Sequence, residues 1–160
     1  MAASKRSLCN VALMMLDLDN FKPLNDTHGH VVGDLLLVEV GRRLTACVRE
    51  VDTVARFGGD EFVVMLSELN VDKVQSFEQA AGVAEKIRIS LAEPYLLPVA
   101  KQGNQVTTVV HQCSASIGVV VFLNPEVGQD DVMKLADAAM YQAKNAGRNR
   151  VQFHEGVGGS

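Results

Sequence analysis

Two β-rich runs meet at a pair of glycines in the stretch TVARFGGDEFVVML, which covers residues 53–66. Both runs contain β-branched and aromatic residues, which favour extended strands. Gly58 and Gly59 permit the positive φ angles that a tight turn requires. The stretch therefore predicts a β-hairpin whose turn presents two acids, Asp60 and Glu61.

A second acidic position follows an apolar run near the N-terminus. Residues 11–16 are all apolar and are followed by Asp17-Leu18-Asp19. A short apolar run of this kind is typical of a strand that is buried on both faces. In an antiparallel sheet the end of this strand can lie beside the hairpin turn, which would bring Asp17 and Asp60 together.

Three amphipathic helices are predicted, each with apolar residues at helical spacing on one face. They cover residues 34–48, residues 76–91, and a segment from residue 130 or 131 to residue 146. A polar loop is expected over residues 20–33, because Pro23 and several turn-forming residues interrupt the apolar pattern. Pro94 and Pro98 are expected to end the second helix, and Gly147 to cap the third.

Short extended runs flank a turn at Gly103-Asn104, and further strands are predicted at residues 106–110, 113–122 and 151–153. The order is β, α, β-hairpin, α, β, β, α, β. Because helices and strands do not strictly alternate, the predicted fold class is α+β, a central and mainly antiparallel sheet with helices on one or both faces. Gly118, inside a strand, indicates a bulge or a close backbone approach.

The length of 160 residues fits one domain. We expect this domain to cover residues 11–154, after an N-terminal leader or truncated segment (1–10) and before a flexible tail or cloning remnant (155–160). The net charge of −4 and the absence of Trp argue against a nucleic-acid binder. The apolar run is too short to span a bilayer, and three cysteines without a signal peptide favour a reducing, cytoplasmic compartment.

Acids clustered at two strand ends repel each other and are costly near a core. A cation among them removes this cost, and Mg²⁺ prefers one or two carboxylates together with water and substrate phosphates. The adjacent glycines would let a phosphate chain approach the backbone closely. A solvated acidic turn is the alternative, and these residues alone do not decide between the two. His28 and His30 lack a third metal ligand, so both are interpreted as loop-structuring residues.

Four segments together resemble one family. The sequence Gly-Gly-Asp-Glu-Phe at residues 58–62 is intact, and residues 17–22, 25–34 and 136–149 match the family's other motifs in order. From about residue 11 to residue 153 the chain is similar to the GGDEF domains of diguanylate cyclases. The resemblance implies a palm-like, nucleotidyl-cyclase-like fold in the cytoplasm, alone or within a larger bacterial signalling protein.

The resemblance also implies roles for individual residues. The metal ligands would be Asp17, the carbonyl of Leu18, Asp60 and Glu61, with Mg²⁺, or Mn²⁺ in its place, as the cofactor. The catalytic residues would be Asp60, Glu61 and Lys22, with Glu61 either binding metal or activating the attacking hydroxyl. The substrate-binding residues would be Asn25, Asp34, Gly58, Gly59, Lys144 and Arg148.

The chemistry of these side chains agrees with those roles. A carboxylate at Asp34 can accept from guanine N1–H and N2–H₂, which adenine does not offer, and the Asn25 amide can both donate and accept. Lys144 and Arg148 are four residues apart and are expected to share one helix face, where both can neutralise phosphates. The resemblance places Lys22 with them. For Lys144 and Arg148 the alternative to phosphate binding is a position at a solvated helix end, where cations also favour the helix dipole.

The implied activity is the condensation of two GTP molecules into cyclic di-GMP with release of two pyrophosphates. Each domain would hold one GTP, so two copies would face each other in a transient symmetric homodimer. Arg49 and Asp52 match the family's Arg-x-x-Asp site for inhibition by the product, with an incidental surface charge pair as the alternative. Sensor or phosphodiesterase domains are expected in a full-length parent. Contact with nucleic acid or membrane is not expected for this segment.

One departure from the family pattern supports an alternative function. The family usually has an Asp-x-Leu-Thr-x-Leu-x-Asn-Arg segment before the first strand, and this sequence lacks it. A catalytically silent module that binds GTP or cyclic di-GMP for signalling is therefore one alternative, and product formation separates it from a cyclase. A different palm-type cyclase or polymerase is another, which Asn25 and Asp34 disfavour and a comparison of GTP with ATP would decide.

Overall fold

A computed structural model describes residues 9–101, 103, 105–123 and 129–154 of the chain. The strands are β1 (Asn10–Leu18), β2 (Thr53–Gly58), β3 (Glu61–Leu69), β4 (Tyr95–Lys101), β5 (Gln105–His111), β6 (Ala115–Leu123) and β7 (Arg150–Phe153). The helices are α1 (Phe21–Cys47), α2 (Lys73–Ala92) and α3 (Gln129–Asn145). No helix within these ranges is long and apolar enough to span a lipid bilayer.

A five-stranded sheet in the order β2-β3-β1-β6-β7 forms the centre of the domain. The central strand β1 pairs antiparallel with β3 and β6, and β7 runs parallel to β6. Residues 11–16 of β1 are all apolar and nearly fully buried, as expected for a strand that is covered on both faces. Met14 and Leu16 pack in one core with α1 and α2, whereas Leu13 and Met15 pack with α3. The predicted class, an α+β fold with a mainly antiparallel sheet and flanking helices, is confirmed.

The polar segment over residues 20–33 is helical, so the prediction of a loop there is wrong. Helix α1 already begins at Phe21. Pro23 does not interrupt the helix because it lies in the first turn, where backbone N–H groups have no partner within the helix. Leu24 is 3% exposed and joins the same core as the later turns of α1. The helical dihedral angles break at Gly29, which has a φ of 86°.

Strand β4 is an addition to the predicted order. Pro98, which was expected to end α2, lies inside β4 opposite Thr108 of β5, and α2 ends earlier, at Ala92. Proline is tolerated there because β4 and β5 form a separate two-stranded sheet, so each is an edge strand. Gly103, with a φ of 79°, lies between these two strands as predicted, and Asn104 lies outside the described residues.

Helix α3 packs directly on β6 at Gly118. A Cβ atom at this position would overlap the carbonyl oxygen of Ala136 and the backbone nitrogen of Met140. The prediction of a close backbone approach at Gly118 is therefore confirmed. α3 carries Lys144 in its last turn and is followed by Arg148, two cations of the predicted site. The contact at Gly118 therefore helps to set the position of both relative to the sheet.

We expect Gly118→Ala to lower the free energy of unfolding by about 1–3 kcal/mol, because the backbone of α3 must move to accommodate one methyl group. Gly82→Ala is the matched control. Among the described residues, no atom lies within 4 Å of a Cβ built at Gly82 in α2, and alanine is the better helix former. Urea unfolding measures both variants, and equal stabilities would contradict the packing contact.

Candidate active site

The end of β1 lies beside the hairpin turn, as predicted. Asp17 is opposite Glu61 in the register between β1 and β3. The backbone N–H of Leu18 donates to the carbonyl oxygen of Asp60 at 3.3 Å. Strand β2 ends at Gly58 and β3 begins at Glu61, so a two-residue turn carries Asp60 into this position. Gly59 has a φ of 53°, which explains the need for glycine in the turn.

Negative charge is crowded at this strand end. Burial, followed by the neighbouring Asp17, raises the pKa of Asp60 from its ordinary value of 3.8 to about 6. Burial also raises the pKa of Glu61, with further contributions from Asp17 and Asp137. Acids whose ionisation is disfavoured in this way, as for Asp60 and Glu61, are typical of a site that receives a cation or a proton.

Asp17 has one oxygen that no side chain or backbone donor satisfies. Within the described part of the chain, Asp17 Oδ1 is buried and has no hydrogen-bond partner. The other oxygen, Oδ2, lies 2.8 Å from the ammonium nitrogen of Lys144. An unpaired carboxylate oxygen in a buried position costs free energy unless a donor or a cation reaches it.

These residues fit a hard, oxygen-preferring cation. Asp17 and Asp60 are neighbouring carboxylates at this strand end, Glu61 lies opposite Asp17 in the register, and Leu18 lines the adjoining cleft. Across the described ranges, no cluster of three or more His, Cys, Asp or Glu side chains could hold a metal by itself. Mg²⁺ suits an open ligand set, because it takes one or two carboxylates and completes its shell with water and phosphate oxygens.

Cationic side chains surround the acids. A cleft of about 280 Å³ is lined by Lys22, Asp60, Lys144 and Arg148, together with residues 18–21 and Pro23. The side chain of Arg148 is 57% exposed and that of Lys144 is 23% exposed, so both can reach an anion in the cleft. The predicted convergence of these residues on one site is observed.

The expected shared helix face of Lys144 and Arg148 is wrong. α3 ends at Asn145, and Arg148 lies in the following turn with a φ of 63°. Gly147 ends the helix as predicted: its N–H donates to the carbonyl of Lys144, and the N–H of Arg148 donates to that of Ala143. The chain reversal, rather than helical periodicity, brings the two cations to the same cleft.

The two residues expected to read guanine lie on α1. The Asn25 side chain packs against Gly33, where a Cβ would overlap its amide oxygen, and Asn25 Nδ2 lies 3.3 Å from His30 Nδ1. His30 therefore contacts Asn25, one of the two residues expected to bind guanine. It directly follows the helix break at Gly29 and does not lie in a loop. Asp34 is exposed and lines a separate groove of about 590 Å³ with Arg56.

Arg49 and Asp52 form an ion pair at the far end of α1. Arg49 Nη2 lies 3.0 Å from Asp52 Oδ1, and Arg49 Nε lies 3.2 Å from Oδ2. Burial acts to raise the pKa of Asp52, but hydrogen bonds from Arg49 and the Ser67 N–H outweigh it and lower that pKa. Arg49 remains 52% exposed and borders a groove of about 350 Å³ that also contains Lys86.

Asp19 makes contacts that the sequence analysis did not assign. Its side chain is 1% exposed and accepts hydrogen bonds from the hydroxyls of Ser114 and Ser116. An acid directly after a buried strand was the available signal. Its partners are Ser116 on β6 and Ser114 just before that strand, 95 residues along the chain for Ser114, so the sequence pattern did not reveal them.

Two solved structures and one curated protein illustrate what this arrangement resembles. Over 144 residues the chain is 40% identical to the bifunctional diguanylate cyclase/cyclic di-GMP phosphodiesterase MucR of Pseudomonas aeruginosa, covering 90% of this chain and 19% of MucR. The crystal structure of the GGDEF domain of YfiN (TpbB) from Pseudomonas aeruginosa has a TM-score of 0.77 and 33% identity, covering 96% of this chain and 88% of that one. The GGDEF domain of DgcB from Caulobacter crescentus, solved in complex with c-di-GMP, has a TM-score of 0.75 and 27% identity, covering 96% of this chain and 82% of that one.

The family profile described as "Diguanylate cyclase, GGDEF domain" matches residues 1–150. This match extends beyond the acids and the glycine turn to the strand, helix and C-terminal turn that position the cations. The chain therefore belongs to the GGDEF family of diguanylate cyclase domains.

Proposed function

We propose that this domain is a diguanylate cyclase, which condenses two GTP molecules into cyclic di-GMP and releases two pyrophosphates. The observation that carries the proposal is the pair of crowded carboxylates, Asp17 and Asp60, of which Asp60 lines a cleft together with Lys22, Lys144 and Arg148, and Asp17 pairs with Lys144. Acids that favour a cation, next to side chains that favour phosphate, suit a metal–triphosphate complex. Formation of cyclic di-GMP from GTP by the purified chain is the direct test.

In this proposal Asp17, Asp60, Glu61 and the Leu18 carbonyl hold Mg²⁺, with Mn²⁺ as a substitute. When bound, the cation lowers the pKa of the attacking hydroxyl and stabilises charge on the transferring phosphoryl group. Lys22, Lys144 and Arg148 orient the triphosphate. Asn25 and Asp34 bind the guanine edge, and the glycines of the turn permit close approach of the substrate.

The bond changes are those of an ordinary phosphoryl transfer. The 3′-oxygen of one GTP forms a bond to the α-phosphorus of the other as the bond from that phosphorus to pyrophosphate breaks. The hydroxyl proton leaves to a base, a role that Glu61, opposite Asp17 at the strand end, would take as the alternative to binding the metal. A second, identical step closes the ring.

Two copies of the domain must face each other, because each is proposed to hold one GTP and both bonds join different molecules. We expect the specific activity to rise with protein concentration, approaching a square-law dependence of rate where the chain is mainly monomeric. Initial rates over a hundredfold dilution series, with sedimentation at the same concentrations, measure this. A strictly linear rate at dilutions where the chain is monomeric would contradict the dimer.

We also propose that Arg49 and Asp52 form an inhibitory site for cyclic di-GMP. The exposed Arg49 guanidinium borders a groove, and such a group can bind a guanine edge or a phosphate through two hydrogen bonds. Asp52 is 2% exposed and bonds to backbone N–H groups, so we assign it the positioning of Arg49.

We expect Arg49→Ala to raise the cyclic di-GMP concentration needed for half-inhibition by about tenfold or more, since one charged bidentate contact is lost. Arg42→Ala is the control, because Arg42 is an exposed arginine near the end of α1 that pairs with Glu39 and does not border this groove. Initial rates with added product measure the effect. Unchanged inhibition in Arg49→Ala would refute the assignment.

The parent protein is proposed to be larger than this segment. The chain spans about a fifth of the length of MucR, which is named for both cyclase and phosphodiesterase activities. We infer that a sensor or phosphodiesterase domain in the parent regulates this one, and that the domain works in the cytoplasm, where GTP is available.

A further inference from the structure

Asp19 is a buried carboxylate with an unusually complete set of partners. Ser114 Oγ donates to Asp19 Oδ2 at 2.6 Å, and Ser116 Oγ donates to Oδ1 at 2.9 Å. The N–H of Asp19 itself donates to the carbonyl of Ser114 at 2.8 Å. These contacts fasten the end of β1 to the start of β6. A buried carboxylate is costly unless it is hydrogen-bonded or paired, and here both carboxylate oxygens of Asp19 accept hydrogen bonds.

The same carboxylate also contacts the turn that follows α3. The backbone N–H of Asn149 donates to Asp19 Oδ2 at 3.2 Å. Gly147, Arg148 and Asn149 all have positive φ angles, of 126°, 63° and 47°. Arg148 and Asn149 are not glycine, so this backbone is unfavourable by itself and persists only where surrounding contacts fix it.

A second contact holds the turn from the opposite side. Arg88 of α2 donates from Nη1 to Asn149 Oδ1 at 2.9 Å, and its side chain also pairs with Glu85. Asn149 therefore lies between Asp19 and Arg88. The turn is fixed by Asp19, which directly follows β1, and by Arg88 of α2, neither of which is close to the turn in sequence.

The turn carries Arg148 into the cleft. Arg148 Nε lies 3.8 Å from Asp19 Oδ1, while 57% of the Arg148 side chain remains exposed. The guanidinium thus lies near the Asp19 carboxylate, while the exposed part of the side chain faces the cleft that Lys22 and Asp60 also line. An arginine held in this way has already lost part of its rotamer freedom, so less entropy is lost when an anion binds.

We propose that Asp19 is a positioning residue for the triphosphate, acting through the turn that carries Arg148 rather than by touching substrate or metal. This inference rests on the proposed function only in taking the bound anion to be a nucleotide triphosphate. The competing explanation is that Asp19 serves the fold alone, by joining β1 to β6. If Asp19 positions Arg148, its replacement should weaken the binding of ligands that carry a triphosphate and leave the binding of ligands without one nearly unchanged. If Asp19 serves the fold alone, its replacement should affect both kinds of ligand equally.

The test compares two ligands that cannot turn over. 3′-Deoxy-GTP keeps the base and the triphosphate but lacks the attacking hydroxyl, and GMP keeps the base without the triphosphate. With Mg²⁺ present, we expect Asp19→Asn to weaken 3′-deoxy-GTP binding about tenfold and GMP binding less than about twofold, because one charge-assisted contact is lost. Asp131→Asn, which removes an exposed acid from the first turn of α3, at the end of the helix remote from Arg148, should change neither affinity.

A double substitution with Arg148 separates positioning from general damage. In an Arg148→Ala background, Asp19→Asn should weaken 3′-deoxy-GTP binding by less than about twofold further, because its effect passes through the missing guanidinium. Additive losses, or equal losses for GMP and 3′-deoxy-GTP, would overturn the proposal.

Arg88→Met provides a variant that leaves the cleft and the β1–β6 link untouched. Loss of the Arg88–Asn149 hydrogen bond should weaken 3′-deoxy-GTP binding about threefold and leave GMP binding unchanged, and no effect on either ligand would count against the turn's role.

Failure of the cyclase function is distinguishable from failure of the positioning role. A chain that binds 3′-deoxy-GTP in this Asp19-dependent way, yet forms no cyclic di-GMP from GTP, would refute the cyclase function and retain the positioning role. A wild-type chain that binds GMP as tightly as 3′-deoxy-GTP would overturn the positioning role.

Discussion

Replacing Asp60 with asparagine is expected to reduce cyclic di-GMP formation by about 10³-fold and, at the same time, to stabilise the metal-free protein. The activity falls because the site loses a charged ligand for the cation that stabilises the transferring phosphoryl group. The stability rises because the neutral amide avoids the cost of burying a charge and no longer repels Asp17. Opposite signs for activity and stability distinguish this effect from simple unfolding of the variant.

The pH dependence of stability follows from the raised pKa of Asp60. The folded protein binds this proton with a pKa of about 6, against an ordinary 3.8, so folding takes up a proton between these values. Stability from this group is therefore present below pH of about 4 and is lost as the pH rises through about 6. Because Asp60 is partly exposed, solvent screens the repulsion, and we expect a gain of about 1–2 kcal/mol for the asparagine variant at neutral pH.

Thermal or urea unfolding with a chelator, at about pH 4 and pH 7, measures the stability difference, which should be small at the lower pH. Adding Mg²⁺ should stabilise the wild type and leave Asp60→Asn nearly unchanged. Asp137→Asn is the control, since Asp137 is an exposed acid close enough to act on Glu61 but is not among the proposed ligands. A destabilised Asp60→Asn at pH 7, or one that retains activity, would contradict the proposed role of this carboxylate.

Replacing Asp34 with asparagine is expected to lower kcat/KM for GTP by about 10²-fold and to reduce the preference for GTP over ATP by a similar factor. The carboxylate can accept from two guanine donors, whereas an asparagine amide opposes one of them with a donor of its own. Sites that hydrogen-bond a substrate discriminate strongly, because a mismatched ligand leaves polar atoms unpaired.

Competition between GTP and ATP in one reaction measures this preference directly. Asp26→Asn is the charge-matched control, because Asp26 is another exposed acid of α1 that is not proposed to contact the base. An Asp34→Asn variant that keeps the wild-type preference for GTP would remove Asp34 from base recognition and leave the role to Asn25.

Much of the fold follows from patterns in the sequence, because those patterns have local causes. The apolar run before Asp17 forms the central strand, and Gly58 ends β2 directly before a two-residue turn of Gly59 and Asp60. The errors concern prolines whose effect depends on position. Pro23 is compatible with the first turn of a helix, and Pro98 with a separate two-stranded sheet, and neither setting can be read from the residue itself.

The candidate site was predictable in part for the same reason. The acids at the two strand ends could be expected to meet, since antiparallel pairing of the strands brings those ends together. The contact of Lys144 with Asp17 and the burial of Asp19 depend on how α3 returns to the sheet, over more than a hundred residues of chain. Such contacts depend on tertiary packing, which periodicity does not encode.

The most direct measurement is incubation of the purified chain with GTP and Mg²⁺ at high protein concentration, followed by chromatographic separation of the nucleotides, with Asp60→Asn alongside. We expect cyclic di-GMP and pyrophosphate from the wild type and neither from the variant. GTP that is bound but recovered unchanged, at concentrations where the chain is dimeric, would contradict it and identify the domain as a binding module without turnover.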